Sequence, residues 1–310
     1  MRARPGCDDP AVRCIRTLIV AFLAACALAP MAAAARGASQ IAYVQGGKLI
    51  GVSPNGSHRH LIGRVPGGVV DVAASADGRF FALLVNGGVR VGERGSDRSL
   101  FLLRPGRGLR LVERWHDTGP LSVAISRQGD QLAYSRRRQI WVRQVDGGPA
   151  RPLTTARGFA SEPAFAPAGD SLVFYREGSG EPGLYRVPAD GGPEAQVVAG
   201  DFREPAVSPR GLIAFRADDR GSDEVRIGLF APGYPGPRLI SRIEDPFRDG
   251  GPAFSPGGNG IAFISQREGP RRLRYLLETV GPSGAERRVV LGDVGPRPVG
   301  PVWSRRSLSR

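Results

Sequence analysis

Glu162–Gly192 reads E-P-A-F-A-P-A-G-D-S-L-V-F-Y-R-E-G-S-G-E-P-G-L-Y-R-V-P-A-D-G-G, and it decides the fold. Three short apolar runs, Ala164–Ala166, Leu172–Tyr175 and Leu184–Val187, are separated by Pro167-Ala168-Gly169-Asp170 and Glu177-Gly178-Ser179-Gly180, and closed by Ala189-Asp190-Gly191-Gly192. Gly and Asp occupy the places where turns need positive φ or a side chain that caps its own backbone. Runs of 3–5 residues rich in Val, Leu, Phe and Tyr between such turns predict a hairpin series rather than helices.

Outward from this stretch the unit repeats. The turn after each first strand carries Ser75, Ser126, Ala166, Ser208, Ser255 and Ser304, spaced 51, 40, 42, 47 and 49 residues apart. A period of 40–50 residues with several strands per unit predicts a β-propeller. After Ser304 the last copy stops, and the body opens at Ile41-Ala42-Tyr43-Val44, the run that elsewhere follows the first strand. Lys48–Val52 and His60–Ile62 supply a third and a fourth strand. The two incomplete ends add up to one whole blade, so an all-β, six-bladed propeller closed by pairing its terminal strands is expected. Such closure removes the exposed edge of an open strand array.

The repeat S-P-x-G…I-A-F, followed by a strand and D-G-G-x-x-x-x-L, resembles the WD-like repeat of TolB-type propellers. Ser208-Pro209-Arg210-Gly211…Ile213-Ala214-Phe215 and Ser255-Pro256-Gly257-Gly258…Ile261-Ala262-Phe263 match it best, and the likeness covers about 41–304. TolB carries an additional N-terminal α/β domain, for which this chain has no room, so the contacts of that domain do not transfer. The resemblance implies a fold and leaves function open, because propellers change partner through their loops.

Composition narrows the function classes. The 310 residues include 44 Gly and 27 Pro, used as turns, and 43 basic against 29 acidic residues, a formal charge of +14. Lys48 is the sole lysine. The three cysteines, Cys7, Cys14 and Cys26, all precede residue 27, so the body has no thiol for a disulfide, a zinc site or a nucleophile. Residues 1–36 read as an export signal: Arg2, Arg4, Arg13 and Arg16, then apolar Thr17–Pro30, then small Met31–Ala35. Leu23-Ala24-Ala25-Cys26 resembles a lipobox, which makes Cys26 the candidate lipidation site; the alternative is cleavage near Ala35. Residues 37–310 are then one propeller domain in a periplasmic or other extracytoplasmic compartment, associated with the membrane only if Cys26 is lipidated. The arginines are scattered, with clusters only at Arg136-Arg137-Arg138, Arg271-Arg272 and Arg305-Arg306, and no basic motif interleaved with aromatics marks a nucleic-acid partner.

Candidate site residues follow from the alignment. Four positions before each turn residue, near the channel mouth, stand Asp71, Ser122, Glu162, Glu204, Gly251 and Gly300, with Arg203 and Asp249 flanking. Acidic residues here suit a cation, a basic peptide end or a ligand amine; the alternative is solvated channel positions. The insertion Arg104–Pro120 carries Arg110, Arg114 and Trp115, either as a partner-binding loop or as a long outer hairpin that buries its own Trp. Ala231–Arg248 is a second long loop. His58, His60 and His116 read as surface histidines rather than a zinc set. Asp218-Asp219 and Asp223-Glu224 read as loop residues. There is no G-x-S-x-G elbow and no phosphate-binding loop. Tyr43, Phe81, Tyr134, Phe174, Phe215 and Phe263, one per second strand, are expected between neighbouring blades. The expectation is a monomeric, non-catalytic envelope binding or scaffold protein with an envelope protein or peptide as partner and no cofactor or metal. The alternative is a propeller lyase or hydrolase acting at the channel mouth.

Overall fold

The repeated turn explains why the chain breaks into strands where it does. In the computed structural model Gly78, Gly129, Gly169, Gly211 and Gly258 each donate a backbone hydrogen bond to the turn residue three positions earlier, at 2.8–3.0 Å. Each has φ between 71° and 81°, a conformation that costs glycine nothing. The turn serine hydroxyl then accepts from the far side of the loop: Ser126 Oγ from Gln131 N at 3.0 Å, Ser208 Oγ from Leu212 N at 2.9 Å, and Ser255 Oγ from Gly260 N at 3.1 Å. These serines are buried, so removing the hydroxyl strands a backbone donor.

The structure describes residues 38–89, 96–116, 121–155, 157–178, 180–218, 224–241 and 248–306. The leader with Cys26, as well as Asp117, Asp219, Asp223 and Phe247, lies outside the described residues. Among the described residues there are 24 strands and no helix. The first blade uses β1 (Ser39–Gln45), β2 (Lys48–Val52) and β3 (Arg59–Arg64), and the second β4 (Val69–Ala74), β5 (Phe81–Val89), β6 (Ser96–Arg104) and β7 (Gly108–Trp115). The third has β8 (Val123–Ile125), β9 (Gln131–Arg136), β10 (Gln139–Gln144) and β11 (Gly147–Pro152). The fourth has β12 (Phe159–Phe165), β13 (Ser171–Glu177), β14 (Gly183–Pro188) and β15 (Ala195–Ala199). The fifth has β16 (Phe202–Val207), β17 (Ile213–Asp218), β18 (Val225–Phe230) and the two-residue β19 (Arg238–Leu239). The sixth has β20 (Arg248–Phe254), β21 (Ile261–Arg267), β22 (Arg274–Val280) and β23 (Arg288–Leu291), after which β24 (Val299–Arg305) returns to the first blade.

That return completes the first blade in the order β24-β1-β2-β3, with Ile41 opposite Trp303 and Ala42 opposite Val302. A single parallel bridge, Val225 to Arg248, joins the fifth and sixth blades into one sheet. Each inner strand touches the next, β4 to β8, β12, β16 and β20, and β24 touches both β20 and β4. The aromatics of the second strands are all fully buried. Tyr43 packs with Ala262 and Ile264, Tyr134 with Ala82 and Leu84, and Phe215 with Val173 and Tyr175, so each bridges two blades.

Two stability predictions arise here. A Cβ on Gly228, directly across from Phe215, would meet the Phe215 ring at 2.3 Å. Gly228→Ala is expected to lower stability by about 1–3 kcal/mol in urea unfolding, since overpacking forces the ring off its rotamer. For Trp303→Ala, full burial would imply roughly 3–5 kcal/mol. Trp303 is only partly buried, donates its indole N–H to Ser39 Oγ and packs on the interface of the first and sixth blades. The expected cost therefore falls to about 2 kcal/mol, read from the same unfolding curves.

Candidate functional site

The six inner strands enclose a cavity of about 720 Å³. Its wall includes Asp71, Ser122, Glu162, Glu204, Gly251 and Gly300, one from each blade. Pleat alternation sends the residue two positions further on to the same wall, giving Ala73, Ala124, Ala164, Ala206, Ala253 and Val302. The level of the wall next to the acidic residues is therefore apolar.

The acidic belt is held by a relay that runs from blade to blade. Asp71 accepts from Val72 N at 2.8 Å and from Val123 N of the next blade at 2.7 Å. Ser122 Oγ accepts from Glu162 N at 2.9 Å. Glu162 Oε2 accepts from Glu204 N at 2.6 Å, and Glu204 Oε2 accepts from Gly251 N at 2.6 Å. The receiving positions are bulged out of the ladder: register shifts fall between Ser161 and Ala164, Arg203 and Ala206, and Gly250 and Ala253. Glu162, Glu204 and Gly251 have φ of 55°, 52° and 65°. A bulge in this conformation turns its N–H out of the sheet, where the preceding blade's side-chain oxygen, the Ser122 hydroxyl or the Glu162 or Glu204 carboxylate, can meet it. These carboxylates thus bind blades together as well as lining the cavity.

Burial and mutual repulsion raise the proton affinity of Asp71 and Glu162. Burial pushes the Asp71 carboxyl up to about 7 against the two amide bonds from Val123 and Val72, with smaller added repulsion from Glu204 and Glu162. Burial also raises Glu162, against the pull of Arg203 and Arg216. Glu204 forms an ion pair with Arg216 at 3.2 Å.

The other predicted residues are distributed differently. Arg203 is held outside the wall by Asp201 at 3.0 Å and Glu177 at 3.1 Å, and stacks on Tyr175. It is not part of the cavity wall, whereas Glu204 next to it, at the bulge, is. Asp249 borders the cavity but is 1% exposed, and its carboxylate faces Ser241, Ser265 and Arg287. Trp115 is 3% exposed and packs against Tyr134 with ring centres 5.3 Å apart. A partner-binding role for Trp115 is thereby corrected: the extra residues of 104–115 lengthen the β6–β7 hairpin, whose end folds its Trp into the core between the second and third blades. Arg110 reaches across to donate to Val145 O at 2.7 Å, while Arg114 is exposed. Tyr234, in the second long loop, is 67% exposed. His116 pairs with Asp97 at 2.9 Å on the surface, and His58 is bonded to Ser57. Among the described residues no group of three His, Cys, Asp or Glu is placed to hold a metal.

Residues 116–306 match the TolB beta propeller domain. The chain belongs to the TolB β-propeller family. Solved structures agree on the fold of this TolB-type propeller. A protein assigned as TolB from Agrobacterium tumefaciens superposes with a TM-score of 0.64 at 18% identity, covering 82% of this chain and 89% of that one. TolB from Acinetobacter baumannii gives 0.70 at 17% identity, covering 87% and 67%. An oligogalacturonate lyase from Vibrio parahaemolyticus gives 0.52 at 13% identity, covering 73% and 70%. No curated protein has a significant match to the sequence.

Reading the repeat alone misses the rest of the wall in this TolB-type propeller. Arg216, Arg248, Gln266 and Tyr275 also line the cavity, on the side of the fifth and sixth blades, whereas Val70 and Leu121 line it on the second and third and are 40% and 53% exposed. Arg216 occupies the second-strand position filled by Val44, Leu84, Ser135, Tyr175 and Ile264 elsewhere. A charge at that otherwise mostly apolar position is the signal that marks it.

Proposed function

We propose that this chain is an exported cell-envelope binding protein that receives a cationic group, such as a polypeptide amino terminus, a basic side chain or a ligand amine, in the mouth of the propeller channel. In this reading residues 1–36 are the leader and residues 37–310 one propeller domain. The observation that carries the proposal is the convergence of the Asp71, Glu162 and Glu204 carboxylates on one cavity of a chain whose formal charge is +14. Burial is the main cause of the raised proton affinity at Asp71 and Glu162, with carboxylate repulsion adding to it, and a bound cation favours the charged form of both. The apolar rim of Val70 and Leu121 suits the chain that carries the cation. Among the described residues no histidine lines the cavity. No helix among the described residues is long and apolar enough to cross a membrane.

Capture on envelope extracts tests the reading. Wild type is compared with a Glu162→Gln, Glu204→Gln double variant, in which the amide oxygen still accepts the inter-blade N–H while the charge is gone. A partner held by wild type and released by the variant is the expected result. A partner held equally by both places binding on the outer loops and refutes the channel mouth.

A further inference from the structure

The opposite end of the channel has its own chemistry, independent of the acidic mouth. One residue past each turn serine or alanine stand Ala76, Arg127, Pro167, Pro209, Pro256 and Arg305. Arg127 and Arg305 carry the only charged side chains at this level. The cavity wall ends just short of it, at Ala74, Ile125, Phe165, Val207, Phe254 and Trp303.

Backbone bonds fix the two arginines on either side of Ala76. Arg305 N donates to Ala76 O at 2.8 Å, and Ala76 N donates to Arg127 O at 3.0 Å. From there the Arg127 guanidinium donates to Pro256 O at 2.9 Å. Arg127 belongs to the third blade and Pro256 to the sixth, which face each other across a ring of six, so this side chain bars the channel axis. Its remaining donor atoms stay accessible to solvent, and its acceptor is a neutral carbonyl. Neither arginine forms an ion pair among the described residues. Asp77, the carboxylate next along from Ala76, is already engaged by Arg79 and by the Ser75 hydroxyl at 2.7 Å. Burial, followed by repulsion from Arg305, disfavours the charged form of Arg127.

We propose that this end of the channel is an anion site, in which Arg127 and Arg305 together hold an oxyanion of the phosphate class. Two guanidiniums anchored to adjoining backbone, with free donors and no carboxylate between them, match the planar fork that binds phosphate oxygens. The anion screens the repulsion between the two arginines and gains charge-assisted bonds that the Pro256 carbonyl cannot offer.

The experiment uses the full chain and inorganic phosphate at pH 7, with sodium chloride matching the ionic strength. Calorimetric titration and melting temperature are recorded for wild type, Arg127→Gln, Arg305→Gln and, as a control for general basicity, Arg271→Gln. Phosphate is expected to raise the wild-type melting temperature above the chloride control. Affinity is expected to fall at least about fivefold in Arg127→Gln and in Arg305→Gln, and to be unchanged in Arg271→Gln. Arg305 is exposed, so its variant keeps the fold even if Arg127→Gln does not. Flotation with phosphatidylglycerol vesicles, against phosphatidylcholine, separates a lipid-borne phosphate from the free ion. An effect of phosphate no larger than that of chloride, or equal affinity across the four proteins, overturns the proposal.

Discussion

A chain that stops at Pro298 is expected to lose cooperative folding. It lacks β24, the inner strand of the first blade, and with it the pairings of Ser39 to Arg305, Gln40 to Ser304, Ile41 to Trp303 and Ala42 to Val302. Val299, Val302 and Trp303 pack against the interfaces on both sides of that blade. These side chains are partly buried, so their packing contributes on the order of 3–5 kcal/mol, and the lost strand pairing adds about 1 kcal/mol per hydrogen bond. Together these approach the whole stability of an ordinary domain, about 5–15 kcal/mol. Truncation also opens the ring, leaving β1 as an apolar edge, since Ile41, Ala42 and Tyr43 are fully buried in the closed form. Urea unfolding by tryptophan fluorescence and far-ultraviolet circular dichroism should show a broad, non-coincident transition with aggregation. A truncated chain that melts like wild type would mean that the terminal blade contributes nothing to closure.

The second large effect concerns pH. Asp71 has an ordinary carboxylate pKa of 3.8 when unfolded and about 7 when folded. The folded state therefore holds a proton that the unfolded state releases across this window. The contribution is fully present below about pH 4 and is lost as pH rises to about 7. At about 1.4 kcal/mol per unit, the loss amounts to roughly 2–4 kcal/mol once solvent in the channel is allowed for. Glu162 and Asp249 are raised too and act in the same direction. Urea midpoints at pH 4.5 and 7.5 should thus favour the acidic condition in wild type. Asp71→Asn should flatten the difference, at a cost of about 1 kcal/mol at pH 4.5, because its amide nitrogen faces an N–H that the carboxylate accepts. If wild type and Asp71→Asn show the same pH slope, Asp71 is not the titrating group.

The fold was legible because turn chemistry repeats locally. Ser208-Pro209-Arg210-Gly211 and its counterparts specify a turn through one glycine φ and one hydroxyl, independent of anything distant. The closing blade was legible from the broken ends of the repeat. The aligned positions Asp71, Ser122, Glu162 and Glu204 could likewise be placed on one wall, because a repeat carries each blade's geometry to the next. What local reading missed depends on pleat direction and on neighbours. Arg203 and Glu204 are adjacent in sequence, yet one leaves the wall and the other joins it, and only the bulge decides which. Trp115 looked equally suited to a loop or to an outer hairpin until the β6–β7 register fixed it against Tyr134. The use of the carboxylates as blade-to-blade acceptors could not be read at all, since each partner lies 42–52 residues away in the chain.

The central claim is that the acidic belt receives a cation, and calorimetric titration of the wild-type protein with trilysine amide at pH 7 tests it most directly. Runs in PIPES and in TES, zwitterionic buffers whose ionisation heats differ, count the protons exchanged. A cation beside Asp71 and Glu162 lowers their proton affinity, so binding should release protons, and affinity should fall roughly tenfold or more in the Glu162→Gln, Glu204→Gln variant. Binding without proton release and with unchanged affinity in that variant, or no binding at all, would contradict it.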